Sequence, residues 1–247
     1  MKFNVIHFKF TTPLHISNVR SDYDKSEKII HSDTIYSAIF EAWSRLGKTK
    51  LIPKTENDDF GFYISTLYPY TQASNGNKIY FFNKPYINFN DNKKDENDKP
   101  DSKVFKKIEF YDLYYFEKLI NFEKIESYPN NHFYGKYLSK QQIKNKDFFT
   151  SDIQTRVRIP RQTVIDNETK EQIKPTPHYI ERIYFDDNSG LYAIVNYTND
   201  DIRENILMAL KFIGDEGIGT DRNIGNGKFE ITEGEITINT PQDATHI

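Results

Sequence analysis

The decisive stretch of this sequence is Gly214-Asp-Glu-Gly217-Ile-Gly219-Thr-Asp-Arg222-Asn-Ile-Gly225-Asn-Gly227-Lys228-Phe229, which holds five of the chain's 11 glycines. Apolar residues at helical spacing precede it and predict a helix that begins at an Asp201/Glu204 capping box: Ile202, Ile206, Leu210 and Ile213. A strand pattern follows from Phe229. Phosphate loops run in the opposite order, strand, loop and helix, and end in Lys followed by Ser or Thr. The stretch therefore does not predict a nucleoside triphosphate site.

We call residues 214–229 the glycine loop. Glycine lets a backbone lie close to an extended ligand such as an RNA strand, and Arg222 and Lys228 add two cations. The alternative is a helix C-cap at Gly214 followed by an ordinary surface turn. Five glycines exceed what a turn needs, so the pattern favours binding. We expect Val at Gly219 or Gly225 to weaken RNA binding without disturbing the fold. The candidate binding residues of the loop are Gly217, Gly219, Arg222, Gly225, Gly227 and Lys228.

The pattern Gly-Ile-Gly-x-x-Arg-x-x-Gly-x-Gly-x-Phe resembles the glycine-rich loop of the RAMP superfamily of CRISPR-associated RNA-binding proteins. Four further motifs agree: Thr12-Pro-Leu-His15-Ile-Ser17, Ile30-His31-Ser32-Asp-Thr-Ile-Tyr-Ser-Ala-Ile39, Phe62-Tyr-Ile-Ser-Thr-Leu-Tyr-Pro69 and Thr155-Arg156-Val-Arg158. Together they are similar to the subunit of type III-A (Csm) effector complexes that holds the 5′ handle of the guide RNA. The resemblance touches most of the chain except about 90–107 and 130–150.

The resemblance implies an α+β fold, ferredoxin-like (RRM-like), with an antiparallel sheet. We expect one RAMP domain over 1–247. Its core would come from 1–89 and 178–240, and an insertion over 90–177 would hold a mobile loop at 90–107 and a basic thumb within 128–176. The family continues into a second ferredoxin-like half after the glycine loop, and we expect that half to be missing or reduced here.

The pattern along the chain predicts the individual elements. We expect a central strand at Lys2–Phe10 that is apolar on both faces, and a helix capped by Ser32 or Asp33. Further expected elements are strands at Phe60–Tyr68 and Lys78–Phe82, a helix at Tyr111–Phe122, and a hairpin of Tyr179–Phe185 with Leu191–Tyr197.

Composition limits the function classes. The chain has 37% hydrophobic and 15% aromatic residues, enough for a core, and no cysteine, which fits a cytoplasmic protein. No apolar run is long enough to span a membrane. A net charge of −3 argues against non-specific duplex binding. Residues 136–161 nevertheless carry seven cations against two carboxylates, a local net charge of +5.

Several residues outside the glycine loop are candidate RNA contacts. Arg156 and Arg158 share one side of a predicted strand, and a guanidinium can donate two hydrogen bonds to one phosphate. The resemblance places the start of the first helix against the guide RNA. The chain has no His-x-x-x-His pair, and we expect no metal and no cofactor. These candidates are His15, Ser17, His31, Ser32, Arg156, Arg158 and Arg161.

The resemblance implies a non-catalytic subunit that binds the crRNA 5′ handle, docks the large polymerase-like Csm subunit and adjoins a backbone RAMP subunit, with target RNA bound indirectly. One alternative is a metal-independent repeat endoribonuclease that uses His15 as general acid or base on a 2′-hydroxyl. A loop histidine that packs or touches phosphate is the more ordinary interpretation of His15. The other alternative is a protein–protein adaptor without RNA contact.

Overall fold

The computed structural model describes residues 1–17, 24–55, 59–85, 102–125, 128–158 and 176–241. Residues 90–101 of the predicted mobile loop lie outside these described residues, and its residues 102–106 form a short helix. In chain order the elements are β1 (Lys2–Phe10), α1 (Ser32–Arg45), β2 (Phe62–Ile64), β3 (Tyr68–Gln72), β4 (Lys78–Asn83), α2 (Ser102–Lys106), β5 (Phe110–Asp112), α3 (Leu113–Ile120), β6 (Phe133–Tyr134), β7 (Tyr137–Leu138), β8 (Phe149–Arg158), β9 (Thr176–Phe185), β10 (Gly190–Tyr197), α4 (Asp200–Glu216) and β11 (Phe229–Thr237).

One large sheet runs in the order β11-β1-β10-β3-β4-β5-β7-β6, and β2 also pairs with β10. β1 lies between β11 and β10 and is antiparallel to both, with Phe10 opposite Phe229 and Phe8 opposite Leu191. The predicted α+β class is confirmed. The expectation of a wholly antiparallel sheet is wrong, because β5 and β7 run parallel and make the sheet mixed.

The core lies on both faces of the sheet, as the pattern of β1 predicts. Successive strand residues point to opposite faces. Phe8 faces α1 and α4, where Trp43 and Leu210 are fully buried, and the Trp43 indole N–H donates to the Asn205 carbonyl oxygen at 3.1 Å. Val5 lies in the cluster on the other face, which α3 covers. Burial of both faces fixes the position of β1 and, because β11 pairs with β1, also the place where the glycine loop enters β11.

The predicted hairpin of Tyr179–Phe185 with Leu191–Tyr197 is wrong. β9 pairs over ten residues with β8 in a separate two-stranded sheet, and β10 joins the large sheet beside β1. The turn between them exists, but it passes the chain from one sheet to the other. A Cβ on Gly190 would lie 2.2 Å from the Phe8 carbonyl oxygen, so glycine is needed where β10 meets β1.

Several predicted boundaries move. The strand predicted at Phe60–Tyr68 divides into β2 and β3, and α1 begins after His31 without a side-chain cap. Asn199, not Asp201, caps α4, and its side-chain oxygen accepts from the Ile202 N–H at 2.9 Å. None of the helices in the described ranges is long and apolar enough to cross a membrane.

Candidate nucleic-acid interface

The glycine loop is bound by backbone hydrogen bonds to the residues that follow β1. The N–H of Gly227 donates to the Pro13 carbonyl at 2.8 Å, and the N–H of Thr220 donates to the His15 carbonyl at 3.2 Å. The Lys228 N–H donates to the Thr12 hydroxyl oxygen at 2.8 Å. The structure thus brings together two motifs, the glycine loop and residues 12–17, that lie about 200 positions apart in the sequence.

The glycines serve mainly to pack the loop against the protein itself. Gly217, Gly219, Gly225 and Gly227 all have positive φ, at 91°, 99°, 86° and 72°. A Cβ on Gly227 would lie 1.8 Å from the Ile218 carbonyl oxygen, and one on Gly219 would lie 2.4 Å from that of His15. Only at Gly225, among these four, would a Cβ meet no atom within 4 Å.

Two expectations for the loop change as a result. Gly219→Val is expected to disturb the fold, because the new side chain would collide with the His15 carbonyl oxygen. Gly214 is not the C-cap, since α4 continues to Glu216 and is capped at Gly217. Gly214 instead lets β11 approach, with its Cβ position 2.3 Å from the Phe229 carbonyl oxygen.

A cluster of two arginines and one carboxylate joins the glycine loop to β8 and β9. Arg182 approaches Asp221 at 2.9 Å, and Arg156 approaches it at 3.3 Å. Arg182 and Asp221 are nearly buried, with 12% and 13% of their side chains exposed, whereas Arg156 is 30% exposed. We call these three residues the Asp221 cluster. Arg182 and Asp221 are not among the residues predicted from the sequence. The pairing of β8 with β9 brings Arg182 near Arg156, but Asp221 reaches both only through the fold of the glycine loop.

The other predicted cations take different positions. Arg222 reaches Glu41 of α1 at 3.3 Å, in an ion pair that is about half exposed. The Lys228 side chain is exposed. Arg158 ends β8 opposite Thr176, and Arg161 lies outside the described residues. The predicted arginines therefore do not all converge on one point.

His31 and Ser32 lie at the start of α1, His31 exposed and Ser32 partly buried. They are separated along α1 from Glu41, which contacts the loop, by roughly 15 Å at 1.5 Å per residue. The structure does not bring them into contact with the glycine loop. They remain candidates for a second stretch of ligand.

His15 is part of the support of the loop. Its carbonyl accepts from Thr220, its imidazole is only 2% exposed, and its Nδ1 lies 2.6 Å from the Glu181 carbonyl oxygen. A general acid or base must reach the proton that it transfers. Burial of the ring counts against His15 as a catalytic group. Ser17, two residues on, is partly buried.

In the described part of the chain, no group of three or more His, Asp or Glu side chains is arranged to hold a metal ion. The cations of the site are offset by internal carboxylates, so its surface charge is modest. What the site offers a ligand is a fixed backbone, one open glycine and the outward donors of Arg156 and Lys228.

Comparison with known proteins identifies the family of the chain. The family model of the RAMP superfamily matches residues 7–230. The chain belongs to the RAMP superfamily. This confirms the resemblance on which the interpretation of the glycine loop was based.

Among curated proteins, this RAMP chain is similar to the CRISPR system Cms protein Csm4 of Methanocaldococcus jannaschii. The two are 26% identical over 277 aligned positions, which cover 100% of this chain and 69% of the relative. The Csm4 protein of Thermococcus onnurineus is 33% identical over 86 residues, which cover 35% of this chain and 28% of that protein.

Solved structures share the fold of this RAMP chain. A chain of the Csm1-Csm4 cassette in complex with cA4 superposes with a TM-score of 0.60 at 18% identity, covering 98% of this chain and 72% of the other. A chain of the Csm3-Csm4 subcomplex of the type III-A CRISPR-Cas interference complex gives 0.57 at 18% identity, covering 98% and 71%.

Proposed function

We propose that this RAMP protein is a non-catalytic RNA-binding subunit of a type III-A (Csm) effector complex and holds the 5′ repeat-derived handle of crRNA. The observation that carries the proposal is the meeting of three motifs at one place: the glycine loop, residues 12–17, and the strands β8 and β9. Single-stranded RNA is recognised largely through its shape, its backbone and splayed bases. A fixed loop with positive-φ glycines suits that kind of recognition.

The RNA strand would cross the outer side of the loop. Gly225 has the space for a close approach of the RNA backbone, and Lys228 and Arg156 offer donors to phosphate. Arg222 would exchange its exposed Glu41 partner for phosphate, because an exposed ion pair is weak, about 0 to 1 kcal/mol. His31 and Ser32 would meet a neighbouring part of the guide.

The similarity to Csm4 proteins supports the remaining parts of the proposal. The protein would dock the large polymerase-like subunit, adjoin a backbone RAMP subunit in the cytoplasm, and meet target RNA only through the assembly. The core order β11-β1-β10, followed by β2 and β3, with α1 and α4 on one face, supports a ferredoxin-like core from 1–89 and 178–240. In this division residues 90–177 are the insertion, and β8 belongs to the thumb.

Two experiments separate this proposal from its alternatives. Binding of the purified protein to a synthetic RNA with the host's repeat-derived handle is expected to weaken as salt rises, and complete absence of binding would favour a pure adaptor. Incubation of the same protein with full repeat RNA in EDTA is expected to leave the RNA intact. Clean cleavage that is lost in His15→Ala would establish the endoribonuclease instead.

A further inference from the structure

We infer that Asp221 is a positioning residue for RNA: it orients Arg156 so that the outward side of its guanidinium meets a phosphate of the guide strand. The inference rests on the proposed function and adds a specific role for a carboxylate inside a site for an anionic ligand. A negative charge beside a phosphate site would ordinarily weaken binding, so its place here needs an explanation.

The geometry of the Asp221 cluster provides one. The Arg182 guanidinium directs both Nε and one terminal nitrogen to a single Asp221 oxygen, at 3.3 and 2.9 Å. Arg182 is the more buried and more closely held of the two arginines, so it balances the charge of Asp221. The cluster as a whole then keeps a net charge of +1, contributed by Arg156.

Arg156 is held by Asp221 on one side of its guanidinium only. It reaches Asp221 from two nitrogens at 3.3 Å, one to each carboxylate oxygen, and its side chain is 30% exposed. A guanidinium has five N–H donors in a planar fork, so donors on the side away from Asp221 remain for a ligand. A long, flexible side chain fixed in this way loses less entropy when phosphate binds.

The cluster also connects two separate elements. Asp221 belongs to the glycine loop, and the two arginines belong to β8 and β9, which pair in a sheet of their own. Asp221 thereby places Arg156, the predicted phosphate ligand on β8, beside the glycine loop. An RNA strand that follows the loop past Gly225 would meet Arg156 in a defined orientation.

The test is a double-mutant cycle on affinity for the handle RNA, measured over a range of salt concentrations with thermal melting in parallel. Arg156→Ala is expected to lower affinity by about tenfold, the scale of one charge-assisted hydrogen bond, and to reduce the salt slope by about one. Asp221→Asn is expected to lower affinity by roughly threefold or more, because the Arg156 side chain must then lose its conformational entropy when the RNA binds. If Asp221 acted only as a nearby negative charge, the same change would raise affinity.

The matched control is Asp187→Asn, which removes one exposed carboxylate from the turn that follows β9 and lies outside the Asp221 cluster. It is expected to leave affinity unchanged or slightly higher. In the Arg156→Ala background, Asp221→Asn is expected to have no further effect. A loss of equal size in both backgrounds would show a merely structural role for Asp221 and overturn the inference.

Equal or tighter binding by Asp221→Asn in the parent background would overturn it as well. Both results would leave the proposed function standing, since the parent protein would still bind the handle. If the parent protein itself did not bind handle RNA, the proposed function would fail first.

Discussion

Replacing Gly227 by alanine tests whether the glycine loop is fixed to the protein as the structure shows. The new Cβ would lie 1.8 Å from the Ile218 carbonyl oxygen, a backbone atom that cannot rotate away. The loop must open there, and two backbone hydrogen bonds are at stake: Gly227 to Pro13 at 2.8 Å and Ile218 to Gly227 at 2.9 Å. The positive φ of 72° adds a conformational cost for any other residue.

The cost can be added up from these contributions. A left-handed backbone costs a non-glycine residue about 1 to 2 kcal/mol, and each lost hydrogen bond costs about 1 kcal/mol. Gly227→Ala is therefore expected to destabilise the protein by about 3 to 4 kcal/mol. At about 2 to 4 °C per kcal/mol for a chain of this size, the melting temperature should fall by roughly 10 °C.

Gly225→Ala is the matched control. It also has a positive φ, at 86°, but its Cβ would meet no atom within 4 Å, so only the conformational cost of about 1 to 2 kcal/mol applies. Thermal and urea unfolding of both variants measure the difference. Equal destabilisation by the two substitutions would refute the reasoning that close contact with the Ile218 backbone, and not backbone angle alone, requires glycine at position 227.

Three further predictions concern the core, pH and the loop cations. Trp43→Ala is expected to cost about 3 to 5 kcal/mol in urea unfolding, because it leaves a cavity and removes the indole hydrogen bond to the Asn205 carbonyl; a cost below 1 kcal/mol would contradict the packing of α1 on α4. Burial, with Lys78 nearby, lowers the pKa of His7 from 6.5 to about 4. The contribution of the neutral imidazole to the free energy of unfolding is therefore complete above pH 6.5 and is lost as the pH falls toward 4. Between pH 7 and pH 5, the free energy of unfolding of the parent should fall by about 2 kcal/mol more than that of His7→Gln. Parallel pH profiles of unfolding for the two proteins would contradict this. Arg222→Ala with Lys228→Ala should reduce the salt slope of RNA binding by at most about two with little change in melting, and an unchanged slope would exclude the loop as the binding surface.

The sequence was most informative where structure is decided locally. The helical spacing before the glycine loop and the alternation after it predicted α4 and β11, and the two apolar faces of β1 predicted its place inside the sheet. Hydrophobic periodicity reports burial directly. The capping box at Asp201 was less informative, because several polar residues compete to cap the same turn and Asn199 does so.

Strand pairing was not predictable in the same way. β9 and β10 are adjacent in the sequence and separated by a strong turn signal, yet β9 pairs with β8 and β10 with β1. Alternation shows that a segment is a strand, but the choice of partner depends on which apolar faces meet in the folded chain. The close approach at Gly190 is visible only once β1 and β10 are paired.

The residues of the candidate site likewise fall into those within compact motifs and those that only the fold brings together. The glycine loop and His15 were found because their motifs are compact in the sequence. Asp221 lies 65 positions from Arg156 and 39 from Arg182, so no local pattern links them. For the same reason the sequence showed the glycines of the loop as contacts for RNA, whereas most of them allow contacts within the protein.

Crosslinking of guide RNA to the assembled complex tests the central claim most directly. The complex is reconstituted with crRNA that carries a photoreactive nucleotide at each handle position in turn, and the attached peptides are identified by mass spectrometry. The proposal predicts handle crosslinks to the glycine loop and to residues of β8, which decrease in Arg156→Ala. Handle crosslinks that fall only on other subunits, with none on this chain, would contradict it.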